Sequence, residues 1–295
     1  MAASRLLSVP GGQLEYLRTG AGGPVTLFAP GLGGGIPDIR PLGSGVPGTK
    51  VFLRGPGAER TPTRWRYADL AADLQAAADT FQARQALGVS LGAGALCRLV
   101  ADHPERFDRL VCFLPAVLDV PRDAVARSRI RELAAAIAGG SRDAVAELVA
   151  AEIPPRFRNT AAARGFIAER VANLTTTGPR GGADQPGPRG VADRPGPRGG
   201  AEHPTPGPDG GAVGLAEAMA GLADEVAVPE VTALRRVTAP VLVIGCRGDG
   251  LHPVEVAVRL AAALPRSTLH LYDEPGPLWT HRADLRKRIS GWLAG

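Results

Sequence analysis

Ser90 stands at the centre of Gly88-Val89-Ser90-Leu91-Gly92, between an apolar run over 85–89 and an alanine-rich run over 91–102. The first run reads as a strand and the second as a helix. A serine on a sharp strand-to-helix turn has its hydroxyl lifted above the sheet, where it can attack a carbonyl carbon. Glycines two positions before and two after it let the strand and helix backbones approach closely. A hydroxyl is a weak nucleophile at neutral pH, so it needs an imidazole as base and a carboxylate to fix that imidazole's tautomer.

The chain has five histidines. His103 falls at the far end of the helix that follows Ser90, His203 lies in a Gly/Pro-rich repeat, and His270 sits within a strand over 268–272, where alternation directs it to a sheet face. That leaves His252 and His281. His281 follows the last strand, just before the final helix, in a loop at the carboxyl edge where open α/β sheets carry their sites. It is therefore the expected base. His252 is the competitor, set aside because it stands only three residues from the candidate acid, too close to dock on it, and is expected to face the lid instead. Asp249, which follows the apolar strand over 240–245, is that acid, with Asp119 as its alternative. The order Ser90, Asp249, His281 is the one that accompanies a nucleophile elbow.

The tetrahedral intermediate of acyl transfer needs preorganised N–H donors for its oxyanion. Leu91, first in the helix after Ser90, offers one backbone N–H. The second is expected from Leu32, in the glycine-rich Pro30-Gly31-Leu32-Gly33-Gly34-Gly35 that follows a strand over 25–28.

Positioning these groups requires a sheet. Short strands over 5–8 and 13–18, joined at Gly11-Gly12, open the chain, followed by strands over 25–28 and 51–53. Strands and helices then alternate: helix 67–83, strand 86–89, helix 91–102, strand 110–113. The pattern resumes with strand 240–245, helix 254–264, strand 268–272 and helix 282–293. Such alternation implies a mostly parallel, twisted sheet with helices on both faces. The core is thus expected over 1–118 and 238–295. Residues 119–237 read as a helical lid, with helices over 122–138, 142–152, 161–173 and 215–224. Within it, a nine-residue unit that begins at Gly178, Gly187 and Gly196 decays by 211. Its Gly and Pro density suits neither helix nor strand, so 178–211 is expected to be a disordered loop.

The chain has 295 residues, 44% of them hydrophobic, and a formal charge of +5. The basic residues are nearly all Arg, scattered among 29 acids without interleaved aromatics, which argues against a nucleic-acid partner. Cys97, Cys112 and Cys246 form no disulfide framework or zinc pattern and read as structural. No signal pattern and no apolar run long enough for a membrane span is visible, so a cytoplasmic protein without a membrane partner is expected.

With these residues assembled, the chain resembles the α/β-hydrolase superfamily, in its lidded, single-domain bacterial form. The resemblance covers roughly 1–118 and 238–295. It is carried by Pro30-Gly31-Leu32-Gly33, Leu53-Arg54-Gly55-Pro56-Gly57, the elbow around Ser90, the segment 245–249 and Trp279-Thr280-His281. It implies a triad of Ser90, Asp249 and His281, an oxyanion hole from the backbone of Leu32 and Leu91, and no cofactor or metal. Family members usually carry His-Gly where this chain has Pro30-Gly31, and often Gly-His where it has Thr280-His281. The implied function is a serine hydrolase that cleaves a small carboxylic ester or thioester through an acyl-enzyme. Two alternatives are the same triad acting on a carbon–carbon bond, a lactone or an N-terminal proline peptide, and a non-catalytic binding protein on the same fold.

Overall fold

The computed structural model describes residues 4–55, 65–175 and 208–295. Most of the nine-residue repeat, with His203, and Pro56-Gly57 of the motif after Leu53 lie outside these residues. Among the described residues, the eight strands are β1 (Arg5–Val9), β2 (Gly12–Thr19), β3 (Val25–Ala29), β4 (Thr49–Leu53), β5 (Gln85–Val89), β6 (Arg109–Phe113), β7 (Val241–Cys246) and β8 (Ser267–Tyr272). They form one sheet in the order β1-β2-β4-β3-β5-β6-β7-β8. The β1–β2 and β2–β4 pairs are antiparallel and every other pair is parallel. The expected hairpin is present, with its turn one residue earlier, at Pro10-Gly11, so that Gly12 already pairs with Val9.

The central strands read as continuous apolar runs because both of their faces are covered. Leu27, Val51, Ala86, Leu110 and Val241 face one core, under α2 (Tyr67–Thr80), α3 (Leu91–Asp102) and, further along the chain, the helix at Val254–Ala263. Their neighbours Phe28, Phe52, Leu87, Val111 and Leu242 face a second core. That core is closed by Ile39 of α1 (Ile36–Ile39) and by Ile289 and Leu293 of the terminal helix. The period-two alternation of a strand thus builds two cores from one sheet.

Between β6 and β7 run α4 (Ala124–Ala138), α5 (Arg142–Ala151), α6 (Ala161–Thr175) and α7 (Pro208–Leu222). Asp123 and Ser141 cap α4 and α5 by accepting from Ala126 and Ala144. The last four residues of the span expected to be disordered, 208–211, are helical instead and open α7. Proline is at ease there, because the first helical position needs no N–H. The chain closes with α8 (Val254–Ala263), the single turn α9 (Pro277–Thr280) and α10 (Arg282–Ala294). Among the described residues, no helix is long and apolar enough to cross a membrane.

The sheet runs from β3 outward to β4, then returns to β5 on the other side of β3. A crevice forms at the carboxyl ends of the strands where the order reverses in this way. The loop after β3 and Ser90 after β5 therefore meet.

Candidate active site

Ser90 joins β5 to α3 with φ 50° and ψ −106°, a left-handed region that costs of order 1–3 kcal/mol for a non-glycine residue. Its N–H donates to Phe113 O at 2.9 Å, and its carbonyl accepts from Gly94 at 3.0 Å, which pins the turn from both sides. The flanking glycines are needed for space. A Cβ on Gly88 would lie 2.5 Å from Gly92 O, and one on Gly92 would lie 2.4 Å from Ala29 O and 2.7 Å from Pro30 O. These neighbours are backbone and cannot rotate away. Gly92→Ala is expected to lower stability by about 1–3 kcal/mol, measured as the denaturant midpoint. Gly291→Ala, in α10 with open space around the glycine, is expected to raise stability by about 0.5–1 kcal/mol.

The group that meets the Ser90 hydroxyl is His252. Its Nε2 lies 2.9 Å from Ser90 Oγ, across 162 residues of chain, and its Nδ1 lies 2.9 Å from Asp249 Oδ2. These partners set the tautomer: Nδ1–H donates to the carboxylate and Nε2 accepts the hydroxyl proton. Asp249 Oδ1 accepts from the backbone N–H of Leu251 at 2.9 Å and of His252 at 3.2 Å. Burial works against an ionised Asp249, but the His252 ring and these two backbone donors outweigh it and hold the carboxyl down at about 2. The Asp249 carboxylate lies 3.8 Å from the Cys246 thiol, which burial and that charge push up to about 12.

The expectation for His281 is thereby corrected. Its Nδ1 sits 2.7 Å from Thr280 Oγ1 and its ring packs on Tyr272, with centroids 4.7 Å apart. It stands between α9 and α10 and does not line the cavity above Ser90. The cause is α9, a single helical turn where the sequence predicts a loop. This turn carries Leu278 and Trp279 to the cavity and sets His281 back against β8. The reason given against His252, closeness to Asp249, fails because the Asp249 side chain caps its own turn. A tight turn brings residues three apart within a few ångström of each other. Asp119, the alternative acid, is taken by Arg259, whose Nη2 lies 2.6 and 2.7 Å from its two oxygens.

Leu91 is the first residue of α3, so its N–H has no partner within the helix. Gly31 packs on the serine, its ideal Cβ position 3.4 Å from Ser90 Cβ. Leu32 follows and lines the same cavity. The loop is tied down: Gly34 N–H donates to Gly31 O at 3.0 Å, and Gly55 N–H to Gly34 O at 2.9 Å. From above, Arg170 Nη1 of α6 donates to Leu32 O at 2.6 Å and Asn173 donates to Gly33 O at 3.4 Å. The sequence reading named neither residue, because nothing in local pattern ties a helix at 170 to a loop at 32.

A cavity of about 390 Å³ lies over Ser90 and His252. Its floor is formed by loops at the carboxyl ends of β3, β5, β7 and β8, and its roof by α4, α5 and α6. Trp279 packs edge-on against Phe166 of α6, with centroids 5.5 Å apart, and at 6.4 Å from Phe157. The loop after β8 thus fastens the roof. His103 caps the exposed end of α3, and His270 packs on Tyr272 of its own strand, both apart from the cavity. Cys97, Cys112 and Cys246 are buried and free.

No family model matches the sequence. No curated protein matches it either. Solved structures do match in shape. A thermophilic esterase from Thermogutta terrifontis aligns with a TM-score of 0.71 at 15% identity, over 99% of this chain and 98% of that one. An esterase from Exiguobacterium antarcticum aligns at 0.72 and 13% identity, over 99% and 100%. The enol-lactonase from Burkholderia xenovorans LB400 aligns at 0.72 and 16% identity, again over 99% and 100%. With strand order, elbow and these full-length matches in agreement, the chain has the α/β-hydrolase fold.

Proposed function

We infer that this protein is a serine hydrolase of small carboxylic esters, with Ser90 as nucleophile, His252 as base and Asp249 as the acid that orients it. The observation that carries this reading is the unbroken relay from Ser90 Oγ to His252 Nε2 and from His252 Nδ1 to Asp249 Oδ2, both hydrogen bonds 2.9 Å long. His252 removes the hydroxyl proton as Ser90 attacks the ester carbonyl, and the same proton then goes to the departing alkoxide. The backbone N–H groups of Leu91 and Leu32 hold the oxyanion, a contribution of about 3 kcal/mol per donor. Water, deprotonated by His252, releases the acid in the second half. A lactone is an internal ester and passes through the same steps. The helices of 119–237 act as the lid that walls the substrate pocket, and the core of 1–118 and 238–295 supplies the reacting groups.

The test is covalent. A fluorophosphonate probe is expected to label one residue per chain, Ser90, with p-nitrophenyl butyrate turnover lost in step. Ser90→Ala is expected to remain unlabelled. A folded wild-type protein that takes up no probe would overturn the assignment.

A further inference from the structure

The cavity above Ser90 carries more positive charge than its walls neutralise, and one of its cations has nothing to hold. Among the described residues, six fully charged side chains line it: Arg122, Arg129, Arg158, Arg170, Glu152 and Asp249. Asp249 is engaged with His252, and Glu152 lies 3.9 Å from Arg170, which also reaches Asp38 and the Leu32 carbonyl. Arg122 is buried and spent on structure, donating to Leu222 O and to Tyr67 Oη. Arg158 is exposed and donates to the carbonyls of Ile153 and Ala151. Arg129 differs from all of these. It is half-buried on α4, lines the cavity, and among the described residues makes no hydrogen bond, ion pair or ring contact.

Its neighbours on the cavity side of the helix are apolar. Val125 lies one turn before it on the same helix, Ile130 and Leu133 follow, and all three line the cavity. Arg129 is half-buried as a residue, and a guanidinium facing a largely apolar cavity is well placed to meet an anion that enters it. Its planar fork of donors matches a carboxylate, which it can bind through two parallel hydrogen bonds. Among the described residues, both acids that line this cavity are already committed, which leaves the substrate as the source of the anion.

We propose that Arg129 is the anchor for a carboxylate on the substrate, so that the esters this site prefers are half-esters of dicarboxylic acids or lactones that bear a free carboxylate. The proposal rests on the hydrolase reading for its reaction but not for its binding step. The charged end lodges under α4 against Arg129 while the ester carbonyl meets Ser90, and the apolar residues between them accommodate a short methylene chain. Arg129 then sets specificity by position, and Arg122, which stands just before the Asp123 cap of α4, keeps that helix seated on Tyr67 and α7.

Two measurements separate the two layers. The first compares p-nitrophenyl hemiglutarate with the neutral p-nitrophenyl valerate. Wild type is expected to favour the half-ester by roughly 10-fold or more in kcat/KM, the scale of one charge-assisted contact. That ratio is expected to collapse toward one in Arg129→Gln and to fall with added salt. A ratio unchanged by Arg129→Gln would overturn the anchor. The second measurement is calorimetric binding of monomethyl glutarate to the Ser90→Ala protein and to Ser90→Ala/Arg129→Gln, which needs no turnover. Equal affinity in the two would overturn the anchor while leaving the hydrolase intact. Affinity that depends on Arg129, in a protein whose wild type cleaves no ester and takes no fluorophosphonate, would keep the anchor and overturn the hydrolase. A circular-dichroism melt of each variant confirms that it is folded.

Discussion

Replacing His252 with alanine is expected to reduce kcat by about 10,000-fold or more, while His281→Ala leaves it within about twofold. The two histidines make opposite claims on the same role. His252 lies 2.9 Å from both the Ser90 hydroxyl and the Asp249 carboxylate, so its loss removes the proton acceptor and leaves Asp249 without its partner. His281 bonds Thr280 and packs on Tyr272, so its loss removes a surface contact. Stability and activity separate the effects further. His281→Ala gives up its stacking on Tyr272, worth about 0.5–1.5 kcal/mol for a ring pair, and is expected to show in the melting temperature rather than in turnover. The measurement is initial-rate kinetics on p-nitrophenyl butyrate with melting curves for both variants. The inverse result, activity lost at 281 and kept at 252, would restore the base that chain order alone suggests.

The distribution of what sequence could tell follows from the range of the forces involved. The strands β3 and β5 to β7 are apolar because they are covered on both faces, and that signal is local, so their places were legible to within a residue or two. The elbow was legible because the glycines its turn demands stand two residues either side of Ser90, although the space at Gly92 is also limited by the carbonyls of Ala29 and Pro30. The helices of 119–237 were legible as helices, from their composition and apolar spacing. What they touch was not, because Arg170 meets Leu32 across 138 residues and Trp279 meets Phe166 through tertiary packing alone.

Sequence points to His281 rather than His252 beside Ser90 for a different reason. Chain order favours the loop after the last strand, and the one-turn helix at Pro277–Thr280 that displaces His281 has too few residues to show a period. The turn that brings His252 onto Asp249 is closed by the side chain of Asp249 itself. An aspartate followed by glycine is an ordinary sign of such a turn. The Asp249-Gly250 pair is thus the signal in the sequence that favours His252.

Asp249→Asn is expected to cost about 10,000-fold in kcat with little change in shape, and Asp119→Asn to cost almost none. The amide is close in size to the carboxylate, but of its two ends only the oxygen can accept. Two backbone donors already claim the Oδ1 position. If the amide oxygen stays with them, the NH2 group faces His252 Nδ1 and forces the proton onto Nε2, where it blocks transfer from Ser90. If the amide turns round, the backbone donors lose their acceptor and the turn loosens. Either way the base is disabled.

The same geometry fixes the effect of pH on stability. The folded carboxyl is held at about 2, below its ordinary 3.8, so its contribution is fully present above pH 4 and is lost as pH falls toward 2. The shift corresponds to about 2 kcal/mol. Asp249→Asn is therefore expected to melt below wild type at pH 7, with the gap narrowing between pH 4 and pH 2. Asp119 makes its bonds to Arg259, outside the relay, so its replacement is expected to weaken the tie between α8 and the segment after β6 and to leave turnover alone. A variant at 119 that lost activity while 249 kept it would move the acid to the strand next door.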